Sequence, residues 1–200
     1  MEPYDIVNEL EQKIAKYAGS KYAVATDSCT NALLIALKYE KMTKDISRVI
    51  LPSHTYVGVA YSCLNAGLKI QFEEYQWEGQ YRIGYTNVID SARRFTKGMY
   101  VPGTLYCLSA HWSKILKIGR GGFILTDDAE IARVLRIMRF DGRQAGVKPI
   151  DDDFKYPSIH AYMLPEEASR GLMLMQSMPE FNHDIPQDVY ADLSKFDIFR

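Results

Sequence analysis

Four short stretches carry the side chains that could do chemistry. Residues 28–30 read Ser-Cys-Thr, 52–56 read Pro-Ser-His-Thr-Tyr, position 90 is Asp, and 109–114 hold Ser109, His111 and Lys114. Each alone has an ordinary structural reading: a helix cap, a carboxylate accepting backbone N–H groups, a solvated lysine. Their joint occurrence is more telling. Hydroxyls, a carboxylate and an amine each follow an apolar run, and in open α/β sheets ligands bind beyond the carboxyl ends of strands. Other motifs are weaker. Gly119-Arg120-Gly121-Gly122 has neither Walker nor Rossmann spacing. The acidic runs 127–128 and 151–153 have no His or Cys spaced to complete a ligand set, so no metal is expected. Arg133, Arg136 and Arg139 recur every three residues and read as a solvated stripe, with a phosphate-reading face the lesser alternative. Tyr61, Tyr81, Tyr85 and Tyr100 make no helical stripe and are expected in core or interface packing.

The elements that must position these groups follow from periodicity. Ile6, Val7, Leu10 and Ile14 recur at helical spacing, so a helix is expected over about 4–18, ended by Gly19. Strands are expected at 22–26, 48–51, 69–75, 87–91, 104–109 and 121–126. Helices are expected at about 30–39, capped by Ser28, at 55–66, and at 129–140 behind Asp127. Pro165 opens a last one to about 175. Residues 76–86 are weakly patterned. Alternating strands and helices predict an α/β fold with a largely parallel sheet of about six strands. The whole chain, 1–200, reads as one domain, with its core at about 4–177 and a tail at 178–200.

Composition is compatible with that reading. The 200 residues are 47% hydrophobic and 24% charged, ordinary globular proportions. Net charge is −1, so a nucleic-acid partner is not expected. Cys29, Cys63 and Cys107 form no CxxC or metal spacing and read as buried free thiols in a reducing compartment. The first residues lack a basic and an apolar region, so no signal peptide is expected. The longest uncharged run, 49–68, contains Pro52, His54, Asn65 and Gly67 and reads as a strand plus a helix, not a membrane span. A cytoplasmic protein is the expectation.

Several longer stretches resemble a known family. LEQKIAKYAGSKYAVATDSCTNALLIAL (10–37), VILPSHTYVGVAYSCLNAG (49–67), VIDSAR (88–93), SAHWSKILKIGRGGFILTDDAEIARVLRIMRFDG (109–142) and HAYMLPEEASRGL (160–172) are similar, in this order, to the DegT/DnrJ/EryC1/StrS family of pyridoxal-phosphate-dependent aminotransferases acting on keto-sugar nucleotides. The similarity covers about 9–177. Its most specific part is Ser109, then Lys114, then the glycine motif at 119–122. The resemblance implies the large domain of a fold type I transferase, with pyridoxal 5'-phosphate (PLP) as cofactor. An amino acid such as glutamate would donate the amino group. It also implies a homodimer with the active site at the interface.

Carried across residue by residue, Lys114 matches the lysine that bonds the cofactor and shuttles a proton. Asp90 matches the carboxylate that keeps the pyridine nitrogen protonated. Ser109, Thr30 and the backbone at Cys29 match the phosphate-binding groups at a helix N-terminus. Tyr56 matches the aromatic stacked on the pyridine ring, and His160 matches an Asn that reaches the neighbouring subunit's phosphate. His111 could line the substrate side. Arg93 stands where Gln or His is usual near the cofactor's hydroxyl; Arg cannot accept a hydrogen bond, so it donates there or points elsewhere. Cys29 stands where Gly is usual, Trp112 where Pro is common and Ala110 where an aromatic is common. The family has roughly forty residues between the strands matching 69–75 and 87–91, enough for another helix and strand. Here a direct pairing of the flanking strands is expected. A reduced large domain without the family's C-terminal small domain is the expected architecture. The alternative reading is a catalytically degenerate member that binds PLP or a sugar nucleotide, or acts as a structural or partner subunit.

Overall fold

The computed structural model describes residues 4–187 and 189–199, so both ends of the expected 1–200 domain lie outside the described residues. The elements are α1 (Asp5–Ala18), β1 (Tyr22–Thr26), α2 (Cys29–Thr43), β2 (Arg48–Pro52), α3 (Val57–Asn65), β3 (Lys69–Glu73), β4 (Tyr81–Arg82), β5 (Val88–Asp90), β6 (Leu105–Ser109), β7 (Gly122–Thr126), α4 (Ala129–Met138) and α5 (Pro165–Met175). Local chemistry explains the helix ends. Ser28 caps α2 by accepting from the Asn31 amide at 3.2 Å. The α4 cap is Asp128 rather than the expected Asp127, because it is the Asp128 carboxylate that accepts from the Glu130 and Ile131 amides. Pro165 opens α5, where its missing N–H costs nothing. Helix α2 runs about a turn past the expected end at 39, through Glu40, Lys41, Met42 and Thr43.

Five strands form one sheet in the order β1-β7-β6-β5-β4. It is mixed rather than largely parallel as expected: β5 and β6 are parallel, while β7 runs against both β1 and β6, and β4 runs against β5, because β6 and β7 join without a crossover helix and β4 folds back on β5. Strand alternation feeds two cores. Val24, Leu105, Cys107 and Ile124 face a cluster with α2, α3 and α4. Ala23, Tyr106, Leu108 and Phe123 face a second one with α1 and α5. A strand buried on both faces reads as a continuous apolar run, as YAVAT and LYCLS do.

The expected direct pairing across the short connection does not occur. β2 and β3 form a separate parallel two-stranded sheet. The connection itself occupies the gap: β4 pairs with β5 through Tyr81↔Asp90 and Arg82↔Ile89. At Gly84 (φ 50°) the backbone passes so close to β2 that a Cβ would lie 2.6 Å from the Ile50 nitrogen. The C-terminal segment closes the same region. The Leu193 amide donates to the Ser53 carbonyl at 2.9 Å, and the Phe199 ring packs against Tyr61 and Phe72.

The arginine stripe on α4 is not the solvated face expected. Arg136 and Arg139 both donate to the buried Glu11 carboxylate of α1, at 2.8 and 2.5 Å, and Glu11 also accepts from the Ala25 amide at 2.8 Å. These arginines tie α4 and α1 to β1. Arg133 pairs with Glu130 on its own helix. No phosphate-reading face remains.

Candidate functional site

A cavity of about 580 Å³ lies at the carboxyl ends of β5 and β6, against the start of α2. Eight of the nine candidate residues line it. Cys29 and Thr30 come from the first turn of α2, Tyr56 from the cap position of α3, and Asp90 from the end of β5. Arg93 follows β5; Ser109 ends β6, and His111 and Lys114 follow it. His160 does not line this cavity. Its Nδ1 sits 2.5 Å from Asp141 Oδ2, its ring packs on Tyr162, and most of its side chain is exposed.

The helix end can hold an anion. The Ser28 hydroxyl takes the Asn31 amide, while the Cys29 and Thr30 amides, as first-turn groups, have no acceptor within the helix. Gly122 of β7 allows the close approach: a Cβ there would stand 2.5 Å from both the Cys29 nitrogen and the Ser28 carbonyl carbon. Since Gly122 pairs with Ser109, that contact also sets the Ser109 hydroxyl beside the α2 end. The Asp27 carboxylate holds the turn, accepting from Ser28, Asn31 and Arg120.

Asp90 is 5% exposed. Burial pushes its carboxyl above the usual carboxylate range; the Ala92 amide (2.9 Å), the Tyr81 phenol and the Lys114 and Arg93 charges pull it back. Cys29 is also buried, which raises its thiol well above the ordinary value, with the Asp90 and Cys107 charges adding to the rise. It is a neutral wall, not a nucleophile. The Lys114 amide donates to the His111 carbonyl at 2.9 Å, and His111 Nδ1 lies 2.9 Å from the Ser113 hydroxyl, so the loop is locally tied. Tyr56 is 55% exposed and stands at the mouth. Trp112 is exposed beside His111, and Ala110 is buried beneath the loop.

Arg93 donates to partners in the C-terminal segment. Its guanidinium reaches the Tyr190 hydroxyl (2.7 Å from Nη2) and the Pro186 carbonyl, and lies over the Tyr190 ring. Tyr190 and Trp77 thereby become cavity walls, with their rings nearly parallel. These two are lining residues that the sequence reading did not single out. Thr55 and Arg120 also line the cavity; they lie within the stretches 52–56 and 119–122 but carried no assigned role.

Residues 1–83 match the model of the DegT/DnrJ/EryC1/StrS aminotransferase family. No curated protein matches the chain. Among solved structures it is similar to the sugar aminotransferase CalS13 from Micromonospora echinospora, at 16% identity and TM-score 0.72 over 86% of this chain and 60% of that one. It is also similar to the E. coli GDP-4-keto-6-deoxy-D-mannose-3-dehydratase with bound hydrated PLP, at 20% identity and TM-score 0.70, covering 87% and 60%. A third is Helicobacter pylori PseC, an aminotransferase of pseudoaminic acid biosynthesis, at 16% identity and TM-score 0.69, covering 87% and 58%. At such identities the likeness is one of fold, the α/β fold that the DegT-family resemblance implies. The chain spans about 60% of the length of these proteins. No helix among the described residues is long and apolar enough to cross a membrane.

Proposed function

We propose that this chain binds PLP in the cavity and acts as a sugar aminotransferase, passing an amino group from an amino acid such as glutamate to a keto-sugar nucleotide. The observation that carries the reading is the gathering of Lys114, Asp90, Ser109 and the α2 N-terminus around one cavity. The donor set fits the cofactor. A buried carboxylate that opens onto a cavity suits a cationic ring nitrogen, and an unpaired one would be costly there. The α2 end with the Ser109 and Thr30 hydroxyls suits a phosphate. The volume lies within the roughly 300–1,000 Å³ typical of small-ligand pockets.

When bound, PLP supplies an electron sink that stabilises negative charge at the substrate carbon. The chain's own groups do the rest. Asp90 keeps the proton on the ring nitrogen. The α2 amides and the Ser109 hydroxyl fix the phosphate and so the orientation. Tyr56 shields one ring face from water. The Lys114 amine anchors the cofactor and, once released, moves a proton at Nζ. A soluble, cytoplasmic homodimer belongs to the proposal. The exposed His160 would then serve the partner's phosphate site, and sedimentation should give twice the chain mass.

The test is an absorbance spectrum after incubation with PLP and desalting. A retained band of lysine-bound PLP, absent in Lys114→Ala, is expected; no retained band at any PLP concentration refutes the reading. One observation favours a second reading, in which PLP binds without turnover: Tyr190, held by Arg93, occupies part of the cavity wall. Conversion of the bound cofactor by glutamate, well above the rate of free PLP, would eliminate it.

A further inference from the structure

We infer that Arg120 is a phosphate-binding residue of the cavity: anchored on Asp27, it offers its remaining guanidinium donors to an anion at the start of α2, so that the site selects a phosphorylated ligand over the same ligand without its phosphate. The inference rests on the proposed cofactor reading and deepens it.

Arg120 reaches the cavity from a loop whose backbone is tied on both sides. The Ala110 amide donates to the Gly121 carbonyl at 2.9 Å and the Trp112 amide to the Gly119 carbonyl at 3.0 Å, which fastens the loop to the segment carrying Ser109 and Lys114. Ser28 and Gly121 are bridge partners, which fastens it to the start of α2. The side chain then lies along Asp27. Its Nε donates to the Asp27 carbonyl at 3.2 Å, and its Nη2 to Asp27 Oδ2 at 2.8 Å. Asp27 is itself fixed, because its Oδ1 accepts from the Ser28 hydroxyl and the Asn31 amide group. A guanidinium carries five N–H donors in one plane. Two are used on Asp27; the Nη1 pair and the second Nη2 hydrogen have no partner among the described residues. Arg120 lines the same cavity as Ser28, Thr30 and Ser109, so these donors stand where an anion would sit.

Charge decides what such donors take. Lys114 is given to the reacting end of the cofactor, and Arg93 is held by Tyr190 and Pro186. Arg120 is thus the cation left for the α2 end. A helix N-terminus supplies about half a positive charge. The Asp27 carboxylate, one residue before the α2 cap, more than offsets it, and the Arg120 guanidinium restores the sign that favours an anion. A phosphate ester brings about two negative charges and three acceptor oxygens. It can take the α2 amides and the Ser109 hydroxyl on one side and a guanidinium on another. The Arg120 side chain is 64% exposed, so solvent screens the contact and its effect belongs at the lower end for charged partners.

The experiment compares the binding of PLP and of pyridoxal, which lacks the phosphate, to the parent, Arg120→Ala and Arg120→Lys, by the absorbance of the lysine-bound form. Arg120→Ala should weaken PLP binding roughly tenfold and leave pyridoxal binding at the parent's value. Arg120→Lys keeps the charge without the planar fork and should fall between the two. The ligand-free Tm should stay near the parent's, because an exposed ion pair contributes little to stability. Equal PLP affinity in the parent and Arg120→Ala overturns the inference. So does an equal loss for PLP and pyridoxal, which a displaced loop would produce. If the parent retains neither ligand, the cofactor reading fails, and thermal unfolding in inorganic phosphate against chloride at matched ionic strength decides the residue's role by itself. Phosphate should raise the Tm of the parent and not that of Arg120→Ala; the same response in both overturns the inference.

Discussion

Gly122→Ala should damage the fold and the anion site together. A Cβ at Gly122 would stand 2.5 Å from the Cys29 nitrogen and the Ser28 carbonyl carbon, and 2.6 Å from the Ser28 oxygen. All three are backbone atoms, so no side chain can swing aside. The α2 start and β7 must separate by just under 1 Å to reach ordinary contact, which begins near 3.4 Å. Overpacking of this kind costs about 1–3 kcal/mol. For a chain of this length each kcal/mol moves Tm by about 2–4 °C, so a fall of roughly 4–8 °C is expected for a cost near 2 kcal/mol. The same displacement pulls the Cys29 and Thr30 amides away from Ser109, and losing one charge-assisted hydrogen bond should weaken PLP binding roughly tenfold or more. Thermal unfolding and a spectroscopic PLP titration read the two effects. Gly103→Ala is the control: it is open to solvent but has φ 77°, so it should lose some stability and leave PLP affinity untouched. A Gly122→Ala protein with the parent's Tm and affinity would refute the close-approach reasoning.

Asp90→Asn should stabilise the cofactor-free protein at neutral pH while weakening PLP binding. Burial raises the Asp90 carboxyl in the folded state above its unfolded value of 3.8. Its ionisation therefore costs stability, with no cost below the unfolded value and a growing one as pH rises through the folded value. The Tm gap, variant minus parent, should widen from pH 4 towards pH 8; a constant or narrowing gap contradicts this. Glu11→Ala should lower stability by about 3–5 kcal/mol, seen in the urea midpoint, because it strands Arg139 and the Ala25 amide in the interior; a loss below about 1 kcal/mol would mean the cluster is solvated in solution. The three cysteines should resist thiol reagents at pH 8 until the protein is unfolded, since burial raises Cys63 to about 12 and the others well above the ordinary value; fast labelling of the native protein would show that the α2–β6 core opens.

Much of the fold was legible because the strands and helices that build it have strong local signals. YAVAT, LYCLS and GFILT are short apolar runs with turns at their ends, and α4 and α5 carry caps or Pro at their starts. The site residues at strand ends follow from that placement: once β5 and β6 are recognised, Asp90, Ser109 and Lys114 must share one edge of the sheet. Residues whose place depends on long-range contact were not legible. Arg136 and Arg139 have helical spacing either way, and only the position of Glu11, about 125 residues earlier, decides that they point inward. Trp77 and Tyr190 sit in stretches without periodicity, so nothing local brings them to the cavity.

The short connection at 76–86 and the unusual Arg93 are parts of one structural solution. With β2 and β5 unpaired, the edge of β5 would expose backbone groups beside the cavity, and an exposed edge invites mispairing. Two residues of β4 cover that edge, and Gly84 brings the same segment against the β2 backbone. Such a thin bridge needs support from outside. The C-terminal segment gives it: Gln187 and Trp77 both donate to the His54 carbonyl, Leu193 donates to Ser53, and Arg94 holds Asp184. Arg93 is the tie between that segment and the site, because its guanidinium meets Pro186 and Tyr190 while its own backbone follows Asp90 by three residues. Gln or His at this position could not reach two acceptors with a planar fork. Arg93, one of the departures from the pattern the chain resembles, is therefore the residue that fastens the covering segment across the gap, and the aromatic wall of the cavity follows from that fastening.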